Sequence, residues 1–314
     1  MRKDYPLVDK VLYLPFATTD NAKKWLEVLQ PEMAVFVKYE FWPAYLKALK
    51  KNGVPTYLIS AIFRPGQLFF LPWGYGYRQL LHCFEHIYVQ DSASMELLQK
   101  YGVEKVTVAG DTRFDRVVAV KRAAKELPVV ASMAAGCDRV LVAGSTWPHE
   151  EEMLARYVAE HEDVRLVLVP HEIHEDHMRQ IFQYFEGRYV RYSEATPVSM
   201  QTCKVLVVDT IGLLSSIYRY GNVAYIGGGF GVGIHNTLEA AVYGIPVVFG
   251  PNWQKFREAR GLLDAGAAIS VKNYKEMAAA LDKAFAEQEE MGQRAAEYVK
   301  GECGATGKIY GEIF

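Results

Sequence analysis

Short apolar runs alternate with helical patterns along most of the chain, and this alternation limits what the chain can fold into. Strands that alternate with helices predict parallel sheets covered by helices. Many runs end on Gly, Pro, Ser, Thr or Asp, which start loops at the carboxyl ends of strands, where ligands of such sheets bind. The predicted strands are VDKVLYLP, MAVFVKY, VPTYLIS, HIYVQ, KVTVAGD, RVLVAGST, VRLVLVP, CKVLVVDT, VAYIGGG and IPVVFGP.

Helical patterns lie between these strands, over NAKKWLEVLQ, PAYLKALKKNG and SASMELLQKYG. In the last of them Ser92 is the expected N-cap and Gly102 the expected stop. An Ala-rich helical stretch without a strand, residues 117–137, marks the expected boundary between domains.

A length of 314 residues predicts two domains. We therefore expect two doubly wound, Rossmann-like α/β domains at 1–120 and 121–300. The last residues, 301–314, are expected to pack back on the first domain.

The charge balance argues against a general attraction to polyanions. The chain has 35 Lys and Arg against 37 Asp and Glu, a net charge of −2, so neither nucleic acid nor anionic membrane is expected to bind through overall charge. No apolar run reaches the roughly 18 residues of a membrane-spanning helix and no signal peptide opens the chain, which predicts a soluble protein. The cysteines form no C-x-x-C pair and indicate reduced thiols in a cytosolic compartment.

The stretch GGGFGVGIHNTLEAAVYGIPVVFGP, residues 227–251, allows two interpretations. In one, the glycines form a tight turn, Asn236 caps a helix that Gly244 ends, and Glu239 completes a variant capping box. In the other, backbone N–H groups approach a phosphate at the helix start and Glu239 accepts hydrogen bonds from ribose hydroxyls. The spacing matches neither G-x-G-x-x-G nor a P-loop, so a dinucleotide or ATP site is not expected, whereas a nucleotide or nucleotide-sugar site stays open.

A second junction between a strand and a helix is GSTWPHEEEM, from Gly144. Ser145 and Thr146 are expected to cap the helix, and the acidic residues 150–152 suit its positive N-terminus. This structural interpretation is favoured over a binding site.

Three histidines follow another strand in VPHEIHEDHM. His171, His174 and His177 do not match H-E-x-x-H, and an acidic first helical turn is a commoner explanation than a metal site. His171 stands directly after the strand and is the best placed of the three to meet a phosphate.

Two motifs carry cations near strand ends. Arg113 lies between Asp111 and Asp115, where a surface ion-pair cluster would explain it. Lys38 and Glu40 fall on one side of an alternating strand end, where a buried ion pair and a catalytic role are equally open.

Taken together, these segments resemble the 3-deoxy-D-manno-octulosonic acid (Kdo) transferases of lipopolysaccharide synthesis, which have the two-domain GT-B glycosyltransferase fold. The resemblance runs essentially from Met1 to the C-terminus. The motifs that carry it are EFWP at 40–43, GDTRFD at 110–115, GST at 144–146, VPH at 169–171, VVDTIG at 207–212, HNTLEAA at 235–241 and IPVVFGP at 245–251.

The resemblance implies a donor, CMP-Kdo, and an acceptor, the lipid A precursor (lipid IVA), joined with inversion and without a metal or other cofactor. It also implies a full-length protein at the cytoplasmic face of the inner membrane, with no nucleic-acid partner. Two alternatives stay open: another GT-B enzyme such as a UDP-sugar transferase or epimerase, and a nucleotide-binding fragment without catalysis.

Site residues follow from the resemblance position by position. Lys38 and Arg113 fall where the family stabilises the transition state. His171 stands where many members have Arg, and Lys38 and Leu213 where many have Glu. The implied nucleotide-binding residues are Pro170, His171, Ile211, Gly212, Leu213, Asn236, Thr237, Leu238 and Glu239.

The family's general-base Glu lies in an S-V-G-E-like loop that has no counterpart in this sequence. The chain is accordingly expected to lack roughly a hundred residues of the first domain, together with the membrane anchor. It should therefore bind the donor but transfer sugar weakly.

Overall fold

The computed structural model describes residues 8–314 and divides into two compact units. The first unit holds the described residues up to Thr112 together with Gly304–Phe314, and the second holds Arg113–Cys303. Within residues 8–314, no helix combines the length and the apolar content that a membrane crossing requires.

The strands are β1 Ala34–Val37, β2 Thr56–Ala61, β3 His86–Val89, β4 Val106–Val108, β5 Val140–Thr146, β6 Arg165–Pro170, β7 Tyr189–Arg191, β8 Val205–Val207, β9 Val223–Ile226, β10 Val247–Phe249 and β11 Ala268–Ser270. The helices are α1 Thr19–Leu29, α2 Pro43–Lys51, α3 Tyr75–Leu81, α4 Ser92–Lys100, α5 Thr112–Arg122, α6 Pro128–Ala134, α7 Pro148–Glu160, α8 Glu175–Tyr184, α9 Leu214–Ile217, α10 Leu238–Ala241, α11 Arg257–Asp264, α12 Tyr274–Ala286, α13 Gln288–Gly301 and α14 Ala305–Ile313.

The first unit is built on a parallel sheet in the order β1-β2-β3-β4. Its central strands bury Leu58, Ile87 and Val89 almost completely. Aromatic rings fill the space beside the sheet, with the centroids of Phe41 and Phe69 4.7 Å apart. The parallel order confirms the predicted α/β class.

The prediction of a strand over VDKVLYLP, residues 8–15, was wrong. No strand includes these residues, and the segment is largely exposed, with Tyr13 79% accessible. Its end is held by the hydroxyl of Tyr45, which donates to the carbonyl of Pro15 at 3.0 Å. An apolar run becomes a strand only where another strand pairs with it, and within the described chain β1 pairs with β2 alone.

The second unit is built on a parallel sheet of seven strands in the order β11-β10-β9-β5-β6-β8-β7. Its central strands are apolar on both faces, and every residue of β9 is buried. Such continuous apolar runs are typical of a parallel sheet covered by helices on both sides. The chain passes from β5 to β6 on one side and later returns to β9 on the other. This reversal creates a switch point beside β5, where loops diverge and leave a crevice.

The two ends of helix α4 lie within one residue of the predicted positions. Its N-cap is Asp91, whose carboxylate accepts from the backbone N–H of Ser94 at 2.8 Å, so Ser92 was wrong by one residue. Asp competes with Ser at this position because its side chain makes the same bond and its charge suits the helix dipole. Gly102 has φ +80° just beyond the helix end, which confirms it as the stop.

One strand in each unit breaks register near its carboxyl end. The pairing of β2 shifts between Leu58 and Ala61, and that of β5 shifts between Gly144 and Thr146. Ser60 and Ser145 sit at these breaks with φ of 52° and 54°, a left-handed conformation that costs an L-residue about 1–3 kcal/mol. Such bulges redirect side chains at the sheet edge where ligands bind.

Three glycines after β9 are required by close backbone contacts. A Cβ on Gly227 would lie 2.1 Å from the carbonyl oxygen of Ser145, and one on Gly229 would lie 2.6 Å from the backbone of Gly250. A Cβ on Gly228 would lie 2.5 Å from the carbonyl oxygen of Gly233. The first three glycines of the glycine-rich stretch are therefore needed for contacts with other backbone segments of the protein.

Replacing Gly227 by Ala should lower the free energy of unfolding by about 1–3 kcal/mol, because a methyl group forced against backbone must displace the end of β5. Gly231→Ala is the matched control in the same loop, since a Cβ there would lie 3.7 Å from its nearest neighbour and φ is not positive. Urea unfolding of both variants gives the comparison. Equal stability of the two variants would contradict the close approach.

Candidate functional site

A cavity of about 440 Å³ opens at the carboxyl edge of the second unit's sheet. Its wall comes from the end of β5, the end of β6 with the following turn, and the loop after β8. Lining residues include Ser145, Pro170, His171, Thr210, Ile211 and Gly212. The side chain of Ile211 is 83% exposed, which leaves an apolar surface available to a ligand.

Four of the residues implied by the resemblance thus line one cavity. Pro170 and His171 come from the end of β6, and Ile211 and Gly212 come from the loop after β8. Gly212 has φ +85°, so the turn that presents Ile211 requires a glycine. Leu213 directly precedes Leu214, which also lines the wall.

An indole and two imidazoles stack beside this cavity. The ring of His171 lies 4.9 Å from that of Trp147 and 4.3 Å from that of His235, with interplanar angles of 29° and 27°. The indole N–H of Trp147 points to Nε2 of His235 at 3.2 Å. His171 therefore stacks on a pair of rings that are hydrogen-bonded to each other.

The Trp147 contact fixes the tautomer of His235. An indole N–H only donates, so Nε2 of His235 must accept and the proton of the neutral ring must sit on Nδ1. Burial, with a smaller contribution from the charge of His171, lowers the pKa of His235. Both effects keep His235 neutral, so its cationic form is disfavoured beside His171.

Glu150, one of the acidic residues predicted to suit the helix N-terminus, is buried. Its Oε2 accepts from the backbone N–H of Trp147 at 3.1 Å and of Gly228 at 3.0 Å. It thereby ties the start of α7 to the glycine-rich loop. Burial outweighs these hydrogen bonds and raises the pKa of Glu150 to about 7.

Glu151 is also buried and belongs to a separate polar group. Its carboxylate accepts from the hydroxyl of Thr146 at 2.8 Å and lies 2.8 Å from Nε2 of His177. Burial is the largest influence and raises the pKa of Glu151, against the opposing effect of His177. The expectation that Ser145 and Thr146 cap α7 was wrong, because the N-cap position is Trp147 and the Thr146 hydroxyl is used by Glu151.

The three histidines after β6 have three different environments. His171 stacks on Trp147, His174 caps α8 by accepting from the backbone N–H of His177 at 3.2 Å, and His177 is buried against Glu151. Across residues 8–314, the structure holds no group of three or more His, Cys, Asp or Glu side chains placed to bind a metal ion.

Residues 236–239 form a turn and the start of a very short helix. The Oδ1 of Asn236 accepts from the backbone N–H of Leu238 at 3.2 Å, and its amide donates to Glu239 at 3.0 Å. The predicted capping box was therefore wrong in detail: Thr237 is the N-cap position, and Glu239 is held by a side chain rather than by backbone. Helix α10 ends at Ala241, while Gly244 has the expected positive φ, +76°.

Glu239 lies close to the wall of the cavity. The pKa of Tyr218, which is fully buried, is raised mainly by that burial and also by the charge of Glu239. The Tyr218 hydroxyl in turn occupies the space beside Gly144, 2.1 Å from where a Cβ would be. Asn236, Thr237, Leu238 and Glu239 are nevertheless not among the described residues that line the 440 Å³ cavity.

Lys38 belongs to the first unit, where β1 ends one residue before it. Its φ is +59°, so the chain turns there, and Lys38 and Glu40 do not continue the alternation of the strand as predicted. The Nζ of Lys38 lies 3.8 Å from the carboxylate of Asp111, which is 1% exposed. Lys38 therefore has a buried carboxylate as an ion-pair partner, and a catalytic role for Lys38 stays a prediction.

Arg113 belongs to the second unit and is held by a carboxylate that the sequence did not suggest. Its guanidinium makes two bonds to Glu258, of 2.6 and 2.9 Å, in a bidentate arrangement. Glu258 is 2% exposed and Arg113 about one third. Such geometry fixes the plane of the guanidinium.

A larger cavity of about 670 Å³ lies at the opposite, amino-end edge of the same sheet. Its cations already have partners: Arg139 bonds to Asp163 and Lys204 to Glu162. Arg165 donates to backbone carbonyls, including that of Ala135. Because these charges are balanced and parallel sheets bind ligands at the other edge, we assign the candidate site to the smaller cavity.

Replacing Arg113 by Met should lower the free energy of unfolding by about 3–5 kcal/mol, because the carboxylate of Glu258 would stay buried without its cation. The double variant Arg113→Met, Glu258→Leu removes both charges and should regain most of that loss. Chemical unfolding of the two variants tests this. A single variant as stable as the native chain would contradict a tight pair.

Glu150 should make stability depend on pH. Between about pH 5 and 7 the folded protein keeps a proton on Glu150 that the unfolded chain has lost, so the free energy of unfolding falls as pH rises through this window. Glu150→Gln has no such proton. Its loss of stability between pH 5 and 8 should be smaller than that of the native chain by about 1–3 kcal/mol.

Urea unfolding at the two pH values measures this difference. Glu152→Gln, at an exposed position on the same helix, is the control and should follow the native pH dependence. If Glu150→Gln also follows the native curve, Glu150 does not titrate in this window.

Comparison with known proteins shows similarity to one family at low sequence identity. Residues 1–116 match the family model described as 3-Deoxy-D-manno-octulosonic-acid transferase (kdotransferase). Similar proteins include the 3-deoxy-D-manno-octulosonic acid transferases of Bordetella pertussis, 28% identical over 94% of this chain and 71% of that protein, and of Aquifex aeolicus, 26% identical over 88% and 72%. A third, from Rickettsia prowazekii, is 24% identical over 84% of this chain and 58% of that protein. The chain thus spans little more than half the length of some relatives.

Solved structures with the same fold share little sequence with the chain. A UDP-GlcNAc 2-epimerase from Neisseria meningitidis, bound to UDP-GlcNAc, aligns with a TM-score of 0.64 over 93% of this chain and 78% of that one, at 15% identity. A UDP-forming trehalose-phosphate synthase from Burkholderia vietnamiensis aligns with a TM-score of 0.57 over 94% and 74%, at 14% identity. These likenesses and the two parallel sheets confirm the predicted GT-B class. The resemblance drawn from the sequence motifs is confirmed as well, and the chain is a relative of the 3-deoxy-D-manno-octulosonic acid transferases.

Proposed function

We propose that this chain binds CMP-Kdo and takes part in the transfer of Kdo to the lipid A precursor. The observation that carries the proposal is the 440 Å³ cavity, in which Pro170, His171, Ile211 and Gly212 meet at the strand carboxyl ends. These residues come from two segments about forty positions apart, and the resemblance implies that both segments hold CMP. Their meeting at the carboxyl ends of the neighbouring strands β6 and β8 supports a nucleotide at this edge of the sheet.

The proposed site offers a distinct contact for each part of the nucleotide. The exposed side chain of Ile211 gives an apolar surface for the base, and the turn at Gly212 brings backbone close to the ligand. His171 meets the phosphate. Glu239, oriented by Asn236, accepts hydrogen bonds from ribose hydroxyls, so in this proposal it is both part of a turn and a ribose ligand.

In the proposed reaction a sugar hydroxyl of the acceptor attacks the anomeric carbon of Kdo as the bond to the CMP phosphate breaks. The phosphate leaves with the bonding electrons, and the hydroxyl proton passes to a general base, so the anomeric centre is inverted. We assign Lys38 and Arg113 the role of stabilising the transition state, which a cation does by balancing the negative charge that develops there. With side-chain cations in this role, the proposed mechanism involves no metal.

The acceptor sets the proposed location. The resemblance implies a lipid A precursor at the cytoplasmic face of the inner membrane, so we place the protein there. This location, like the acceptor, rests on the family relationship.

Nucleotide selectivity distinguishes the proposal from a UDP-sugar enzyme of the same fold. The 314-residue chain should bind CMP at least about tenfold more tightly than UDP, a difference of about 1.4 kcal/mol. Isothermal titration calorimetry with each nucleotide measures it. Tighter binding of UDP would favour a UDP-sugar transferase or epimerase, and no binding of either nucleotide would remove the proposal.

Glu239→Gln tests the ribose contact within the same experiment. Losing the charge of a hydrogen-bond acceptor should weaken CMP binding by a factor of about ten. Glu289→Gln, at an exposed position on α13, is the matched control and should bind as the native chain does. Unchanged affinity in Glu239→Gln would leave Glu239 with a structural role alone.

A further inference from the structure

The proposed phosphate site is short of permanent positive charge. Among the described residues that line the 440 Å³ cavity there is no Lys or Arg, and the one carboxylate is Glu172. Two imidazoles, His171 and His174, line the same cavity. His174 is engaged, since it caps α8 and its Nε2 lies 3.2 Å from Glu172. His171 is therefore the group best able to provide a cation for an anionic ligand.

The rings around His171 suit its cationic form. The indole of Trp147 offers a π face 4.9 Å from the His171 ring, and a cation over such a face is stabilised. The other stacked ring, His235, would oppose a second charge at 4.3 Å if it were protonated. The N–H of Trp147 directed at Nε2 of His235 prevents that protonation on this nitrogen. One stacked ring is thus kept neutral while the other is free to titrate.

Other titratable groups lie around the stacked rings, but each of them is engaged in other contacts and none is as well placed as His171 to provide the cation. Glu172 and His174 lie on the turn after β6 and are bonded to each other. Behind the glycine-rich loop, Glu150 is buried and bonds to backbone N–H groups. His149, on the first turn of α7, packs against Phe230 with a centroid distance of 5.2 Å.

We propose that phosphate binding in this cavity is coupled to the uptake of one proton by His171, with Trp147 and His235 forming a neutral aromatic shelf under the resulting imidazolium. The ligand class is the phosphate of a nucleoside monophosphate or its sugar diester. The inference rests on the proposed function, because it takes the cavity to be the CMP site. The proton comes from solvent, and no covalent bond changes.

Proton uptake has a direct thermodynamic consequence. Affinity for the phosphate falls as pH rises, by up to tenfold per pH unit, once the free imidazole has lost its proton. The second proton of a phosphate monoester is lost near pH 6, so between pH 7 and 9 CMP itself does not change charge. A change of CMP affinity between pH 7 and 9 is then due to a titrating group of the protein and not to CMP.

Calorimetry of CMP binding to the full 314-residue chain tests the coupling. Titrations at pH 7.5 in two buffers with different ionisation enthalpies should show net uptake of protons on binding of CMP. The dissociation constant should rise at least about tenfold from pH 7 to 9. CMP binding without proton uptake would overturn the inference and leave the proposed function intact. No CMP binding at all would remove both.

Three variants identify the group that takes the proton. His171→Arg carries a permanent cation, so it should bind CMP with no proton uptake and with similar affinity at pH 7 and 9. His171→Asn should lose the proton uptake and bind CMP more weakly. It replaces His171→Arg in the test if circular dichroism shows that the Arg variant does not fold. His235→Asn should keep the uptake. Uptake that persists in the His171 variants, or that disappears in His235→Asn alone, would overturn the assignment to His171.

Discussion

The close approach of two backbone segments, the end of β5 and the start of the loop after β9, is the constraint on which the candidate site depends. Gly227 and Ser145 touch at a distance that leaves no room for a side chain. Ser145 is held in a left-handed conformation, and the β5 register shifts beside it. With these elements in place, Trp147 and His235 come within hydrogen-bond distance although 88 positions separate them. The aromatic shelf is therefore a product of the way the strands meet.

Two buried glutamates secure this arrangement in different ways. Glu150 accepts hydrogen bonds from backbone N–H groups of both segments and so links the start of α7 to the loop after β9. Glu151 binds Thr146 and His177 and so joins the end of β5 to helix α8. Burying a carboxylate is costly unless its hydrogen bonds are made. Both oxygens of Glu151 have partners, whereas Oε1 of Glu150 is buried without one, in keeping with the raised pKa of Glu150. The polar groups of the site are thus supported by others that a ligand need not touch.

Much of the fold was predictable from the sequence, because long apolar runs in a parallel sheet are read directly as strands. The edge strands β7 and β11 were missed since each has three residues and mixed polarity. VDKVLYLP had the right composition for a strand, but composition does not show whether a partner exists. The burial of Glu150 and Glu151 could not be predicted, because the sequence position of a helix start does not show what covers it. The nucleotide-binding residues came from family resemblance, and local patterns could not have brought Trp147, His171 and His235 together.

The order of strands in the second unit also has a consequence for how the chain acquires its structure. The central strand β5 pairs with β6 soon after it in sequence, but its other neighbour is β9, with Leu141 opposite Val223. Contacts between residues so far apart form late, since a long loop must close first. During synthesis β5, β6 and β8 can associate while one side of β5 is still bare. The junction beside Ser145 is completed only when the segment from Val223 to the glycine-rich loop has left the ribosome, so His235 joins Trp147 and His171 after the strands that line the cavity have been made.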